Sequence, residues 1–376
     1  MSARDYAGRL RQMVMQPTPF CNLDCDYCYL PFRDDKTVMS LEVVAASLRF
    51  ALESGLLGST VEMRWHAGEP LAVRKSFYHA AFEMIDSALA DTGIHAEHSV
   101  QTNGVLIDEE WAEFFAIHDV RVGVSLDGPA HIHDAHRRTR RGSGSFAQVM
   151  RGIEYLRAYG LPFDVISVIT PATLADASGF RDFFSNLPGL RELGFNVEES
   201  EGAHQSQILA TDAFEAAYRL FLGELHRWSW QTSIPVREFR AMRDLILYGS
   251  TPVINTQNDP FSILTVAANG DISTFSPELL GLSHPAVESF ILGNVLHHSH
   301  HEVFKSKLLA DLALAIDHGR MACQSSCAYY SLCGGGAPVN KLYENGSLSS
   351  TRTRHCYLTI QMIADCALST MENERF

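Results

Sequence analysis

Between residue 11 and about residue 200, short apolar runs alternate with longer stretches whose apolar residues recur every three or four positions. The short runs predict strands at Gln12–Gln16, Thr60–Trp65, His98–Thr102, Val120–Ser125, Asp164–Ile169 and Leu193–Val197. The longer stretches predict helices at Leu41–Glu53, Ser76–Asp91, Glu109–Ile117, Phe146–Tyr159 and Leu174–Asn186. Strands alternating with helices read as βα units around a parallel sheet. Six such units are too few to close an eight-stranded barrel. The expected fold class is therefore α/β, a partial (βα)6 TIM-like barrel.

The rhythm changes near residue 211. Thr211–Trp228 and Pro235–Gly249 read as helices, and Ile263–Val266 and Asp271–Thr274 flank Asn269-Gly270, a hairpin signal. The expected division is a barrel over 1–210, a helical linker over 211–260 and a smaller α+β domain over 261–376.

Hydrophobic residues make up 46% and charged residues 20%, ordinary values for a globular protein. No run of 18 apolar residues occurs, so no transmembrane helix and no membrane partner are expected. A net charge of −14 argues against a nucleic-acid partner, because phosphate neutralisation needs clustered Lys and Arg. The basic run Arg137-Arg138-Thr139-Arg140-Arg141 is local. Eight cysteines in 376 residues are sparse for a disulfide scaffold, and the start of the chain has no apolar signal-like stretch. Free thiols in a reducing cytoplasm are expected.

The cysteines carry the candidate chemistry. Cys21, Cys25 and Cys28 form a C-x3-C-x2-C triplet with Tyr27 before its last member. Four thiolates hold a [4Fe–4S] cluster, so three leave one iron open to a small molecule. Zinc is the rival occupant. Downstream, Cys323-x3-Cys327-x5-Cys333 and Cys356 supply four thiolates, enough for a closed cluster. Cys366 lies on the helical pattern Leu358–Leu368 and reads as a small buried hydrophobe. The run His297-His298-Ser299-His300-His301 reads as a solvated helix start. Further motifs follow successive predicted strands: Trp65-His66-Ala67-Gly68-Glu69-Pro70, Gln101-Thr102-Asn103-Gly104 and Ser125-Leu126-Asp127-Gly128-Pro129.

In this combination the motifs resemble the radical SAM superfamily, and Cys333-Gly334-Gly335-Gly336-Ala337-Pro338 resembles the SPASM-type domain that follows the barrel in its peptide-modifying members. The resemblance implies S-adenosylmethionine on the open iron and two [4Fe–4S] clusters, one cofactor-binding and one auxiliary. Cleavage of the cofactor would give a 5′-deoxyadenosyl radical that abstracts hydrogen from the substrate. Ala67, Gly68 and Glu69 match the segment that holds the methionine ammonium in relatives. Ala67 replaces a Gly there and is expected to take a negative φ. Thr102 and Asn103 match cofactor contacts. Ser125 would bond a ribose hydroxyl, and Asp127 would hold the turn. Arg137, in His133-Asp134-Ala135-His136-Arg137, would grip the cofactor carboxylate bidentately. Val168 and Ile169 would flank the adenine.

Two departures narrow the reading. Phe275 and Ala337 stand where relatives with a further auxiliary cluster have cysteines, so that cluster is expected to be absent. Ser276 stands where sulfatase maturases carry an acidic residue, which counts against formylglycine formation. Trp65–Gly68, Phe195–Glu199 and Thr274–Glu278 resemble the GrrM/OscB-type peptide maturases. That resemblance implies a ribosomally made precursor peptide and a cyclophane crosslink from an aromatic ring carbon to a nearby Cβ. Glu198, Glu199 and Glu278 are the candidate bases, by location, and an external donor such as flavodoxin or ferredoxin would supply the electron. The alternatives are sulfatase-type maturation, thioether formation on a peptide, and a non-catalytic zinc-containing precursor-binding scaffold.

Overall fold

The computed structural model describes residues 6–199, 204, 211–249 and 253–373. Six strands run in parallel: β1 (Leu10–Met15), β2 (Leu57–Trp65), β3 (His95–Thr102), β4 (Arg121–Ser125), β5 (Phe163–Ile169) and β6 (Leu190–Val197). Each expected strand is present, several starting a few residues early. The helices between them include Leu41–Glu53, Lys75–Leu89, Glu109–Ile117, Phe146–Ala158 and Ala177–Ser185. Side chains alternate across each strand. Val61, Met63 and Trp65 of β2 are buried against the helix layer, where Trp65 stacks on Phe82. Glu62, Arg64 and His66 take the opposite face, toward the barrel interior. Glu62 there accepts from Gln12, Arg64 and Ser99, which fills the N-terminal end of the barrel with a polar network.

The sheet does not stop at six strands. β7 (Ile263–Val266) pairs parallel with β1, and β8 (Asp271–Thr274) and β9 (Gly293–Asn294) continue it, giving nine strands in the order β6-β5-β4-β3-β2-β1-β7-β8-β9. The partial barrel and the C-terminal region thus share one hydrogen-bonded sheet. Asn269-Gly270 makes the β7–β8 turn, with Gly270 at φ +89°. Helices Asp212–Thr232 and Arg237–Tyr248 precede β7. The histidine run caps a helix: Ser299 accepts from the Glu302 N–H, and the Glu302 carboxylate bonds back to Ser299. Among the described residues, no helix is long and apolar enough to cross a membrane.

Candidate active site

The C-terminal ends of the parallel strands carry the candidate residues, the end where such folds place chemistry. Cys21, Cys25 and Cys28 lie on the loop after β1, each partly exposed and close enough to act on one another's ionisation. Burial first, then Glu69, pushes the Cys21 thiol up to about 12; burial pushes Cys25 to about 11 against the pull of Arg137. Cysteine ligates iron as the thiolate, so a cluster bound here would have to displace these protons. The loop is clamped from the basic run. The Arg140 Nε donates to Cys21 O at 2.7 Å, and its other nitrogens reach Arg33 O and Asp34. The Asp24 N–H bonds to Arg138 O.

The turn after β2 lies directly on that loop. A Cβ on Gly68 would fall 2.4 Å from Thr18 O and 2.6 Å from Phe20 O, so only glycine fits. Ala67 has φ +72°, not the expected negative value. Ala67 and Gly68 both take positive φ where the two loops meet, which for Ala67, with its Cβ, costs about 1 kcal/mol. The Glu69 carboxylate is buried and accepts from Leu71 N at 3.0 Å, Thr102 Oγ1 at 2.7 Å and Asn103 N at 2.8 Å. Thr102 and Asn103 thus meet Glu69, and Asn103 also reaches Asn22 on the cysteine loop. All three donors to Glu69 are neutral. Burial raises its carboxyl pKa, as expected for an anion short of a cation. A substrate ammonium is the kind of group that would complete it.

After β4, Asp127 is a hub. Its wholly buried carboxylate accepts from Tyr27 OH at 2.5 Å, Arg137 Nε at 2.9 Å, Arg137 Nη2 at 3.0 Å and Val168 N at 2.9 Å. Two expectations gain detail here. Asp127 takes the Nε/Nη2 edge of Arg137, which leaves the Nη1 side of the guanidinium to face a cofactor carboxylate. Asp127 does not shape an open turn; it ties the cysteine loop, β4 and β5 together. Ser125 Oγ accepts from Gln101 Nε2 at 3.1 Å. Val168 lies on the interior face of β5, whereas Ile169 is fully buried in the core on the opposite face, so only Val168 of that pair borders the site.

The three candidate bases divide. Glu198 pairs with His204 at 2.7 Å. Glu199 accepts from Asn340 Nδ2 at 2.7 Å and lies 3.5 Å from His355 Nδ1. Glu278 follows β8, and its Oε2 is buried without a hydrogen-bond partner. Burial and the nearby Glu199 push its pKa up to about 7. Phe275, in place of a relative's cysteine, is buried at φ +75°.

The second cysteine group lines a cavity of about 220 Å³. Cys323, Cys327, Cys333 and Cys356 surround it together with Lys341, Arg352 and Gln361. Gly334, Gly335 and Gly336 all have positive φ, and their loop turns the Gly335 N–H onto Cys333 Sγ at 3.4 Å. Asn255 and Asn258 brace the loop through the carbonyls of Cys333, Gly334 and Gly336. Burial and the neighbouring thiols raise the Cys356 pKa to about 11. Among the described residues, no three His, Cys, Asp or Glu side chains are disposed around a single ion. The four thiols line a space instead, as ligands of a multi-iron cluster would. Sequence reasoning missed Lys341 and Gln361 here, and no local signal marks either.

The Radical SAM superfamily model matches residues 15–184. The chain is 38% identical over 374 residues to the protein sll1766 of Synechocystis, covering 97% of this chain and 93% of that one. It is 25% identical to a serine-type anaerobic sulfatase-maturating enzyme of Bacteroides thetaiotaomicron, over 91% of this chain and 86% of that one. Its fold matches the structure of native anSMEcpe with bound AdoMet and Cp18Cys peptide at a TM-score of 0.78 and 21% identity, over 96% and 98% of the two chains. The match begins at the last residue of β1 and takes in the cysteine triplet and the turns after β2, β3 and β4, and with it this chain belongs to the radical SAM superfamily, an enzyme whose cofactors are S-adenosylmethionine and iron–sulfur clusters.

Proposed function

We propose that this enzyme is a peptide maturase that closes a cyclophane, a carbon–carbon bond between an aromatic ring and a nearby Cβ of a ribosomally made precursor. The observation that carries the reading is Glu278, a half-buried residue whose Oε2 is buried without a hydrogen-bond partner, and whose carboxyl pKa burial pushes up to about 7. Removal of one hydrogen atom from Cβ, bond formation to the ring, and loss of one proton and one electron together account for two lost hydrogens. When bound, S-adenosylmethionine and the cluster on Cys21, Cys25 and Cys28 supply the 5′-deoxyadenosyl radical, and a cluster on Cys323, Cys327, Cys333 and Cys356 provides the electron sink. Glu278 takes the proton that restores the ring, and Glu199 keeps its pKa high. Glu69 faces the methionine ammonium; Ser125 and Val168 border the nucleoside; Tyr27, Asp127 and Arg137 hold those elements in register. Incubation with a precursor peptide, S-adenosylmethionine and a low-potential reductant is expected to give a product two hydrogens lighter, with no cysteine needed in the peptide. A product that keeps both hydrogens, or one formed only on cysteine, would overturn the cyclophane reading.

A second reading is protein maturation of the sulfatase type, favoured by the similarity to the Bacteroides enzyme. Ser276 in place of an acidic residue weighs against it. A sulfatase-derived peptide offered in parallel decides between the two.

The ammonium role of Glu69 has its own test. Glu69→Gln exchanges a charge-assisted bond for a neutral one and puts an amide donor where Thr102 and Asn103 already donate. Anaerobic titration is expected to show cofactor affinity at least about tenfold weaker, a loss of roughly 1–2 kcal/mol. An unchanged dissociation constant would assign Glu69 to loop tethering alone.

A further inference from the structure

A buried lysine stands beside the four-thiol cavity, with no acidic partner among the described residues. Lys341, on helix Pro338–Asn345, is 2% exposed and lines the same 220 Å³ space as Cys323, Cys327, Cys333 and Cys356. No described residue accepts a hydrogen bond from its ammonium or forms an ion pair with it. Small residues make room for the side chain. A Cβ on Gly319 would lie 3.1 Å from Nζ, and one on Gly336 would lie 3.8 Å from Cε. Arg352 also borders the cavity, but it is exposed and rests on the Tyr357 ring, so solvent screens its charge.

An ammonium kept in a low-dielectric site without a partner is strongly unfavourable. Four thiolates and a cluster between them carry net negative charge, and reduction adds more. A fixed positive charge beside them favours the reduced form and raises the potential. Two donors act in the same direction: the Gly335 N–H on Cys333 Sγ, and Gln361 Nε2 on Cys356 Sγ at 3.8 Å, placed by the π-helical turn Tyr357–Gln361. We infer that Lys341 is the charge-compensating residue of the auxiliary cluster and sets its potential high enough to accept an electron. Lys341 is a positioning residue here, acting on the peptide only through the cluster. The inference rests on the assignment of a second cluster to these four cysteines.

The test is an EPR-monitored redox titration of the reconstituted holoenzyme with iron counted in parallel. Lys341→Met keeps the stem and removes the charge; Lys341→Arg keeps the charge. The expected result is about eight irons in the unmutated chain, an auxiliary midpoint displaced to more negative potential in Lys341→Met, a near-normal one in Lys341→Arg, and no change at the first cluster. If Lys341→Met fails to load the second cluster while Lys341→Arg loads it fully, charge compensation is again supported. Full loading of Lys341→Met with both midpoints unmoved would reduce Lys341 to packing, as would failure of both variants to load. An iron content near four in the unmutated chain would remove the second cluster itself, and the inference with it.

Discussion

Reconstituted under anaerobic conditions, the chain is expected to hold about eight irons, and the combined change of Cys21, Cys25 and Cys28 to Ala is expected to leave about four. The two thiol groups sit on separate parts of the structure. The first lies on the loop after β1; the second is drawn from helices Lys307–Ser326 and Tyr330–Cys333, the C-cap Cys327 and the turn at Cys356. Loss of the first group should abolish 5′-deoxyadenosine formation outright, because the second group, with four thiols, would leave no iron open. It should not unfold the chain, because protein contacts also clamp the cysteine loop, to Arg140, to Arg138 and to the turn at Gly68. Circular dichroism of the triple variant should therefore match the unmutated protein while its iron content halves. Iron near four in the unmutated chain would refute the auxiliary assignment, and zinc in place of iron would favour the scaffold alternative.

The strand–helix rhythm of the first 200 residues was legible because each barrel strand buries one face under helices. Val61, Met63 and Trp65 on β2 repeat with period two, while helix residues such as Val43, Val44, Ser47 and Ala51 repeat with the helical period. The motifs at strand ends were legible because glycine and proline mark where a strand must stop. Partnering was not. Pairing of β7 with β1 joins residues some 250 positions apart, and no local pattern encodes it. Arg137 read as a wholly free fork because sequence reports a guanidinium but not the buried Asp127 that takes its Nε/Nη2 edge. Ala67 read as an ordinary turn residue because its positive φ belongs to a turn whose next residue, Gly68, packs on the carbonyls of Thr18 and Phe20 of another loop. Ile169 differs from Val168 by one position along β5, and the pleat turns it into the core. Lys341 lies in an ordinary amphipathic helix, and only the cavity around it shows that its charge lies inside.

Crosslinking should depend on Glu278 and on pH in a linked way. A base must be ionised to act, so with a pKa of about 7 the rate is expected to climb between pH 6 and pH 8. Glu278→Gln removes the acceptor and should lower crosslinked peptide by roughly 10²–10⁴-fold, the usual range for losing a positioned base. 5′-Deoxyadenosine should still form, since Glu278 follows β8 and has no assigned part in holding the cofactor or the first cluster. Unfolding is separable from this effect by sign. A carboxyl whose folded pKa is raised above its ordinary value binds its proton more tightly in the native state, so its favourable contribution is lost as pH rises through about 7. The neutral glutamine avoids that loss, and Glu278→Gln should melt no lower than the unmutated chain at pH 8. Glu199→Gln gives the complementary result. It withdraws the neighbouring negative charge that helps raise Glu278, so the rising limb of the pH profile should move toward acid while crosslinking persists. A full rate in Glu278→Gln would exclude Glu278 as the base. A pH profile unmoved by Glu199→Gln would show that burial alone sets its pKa.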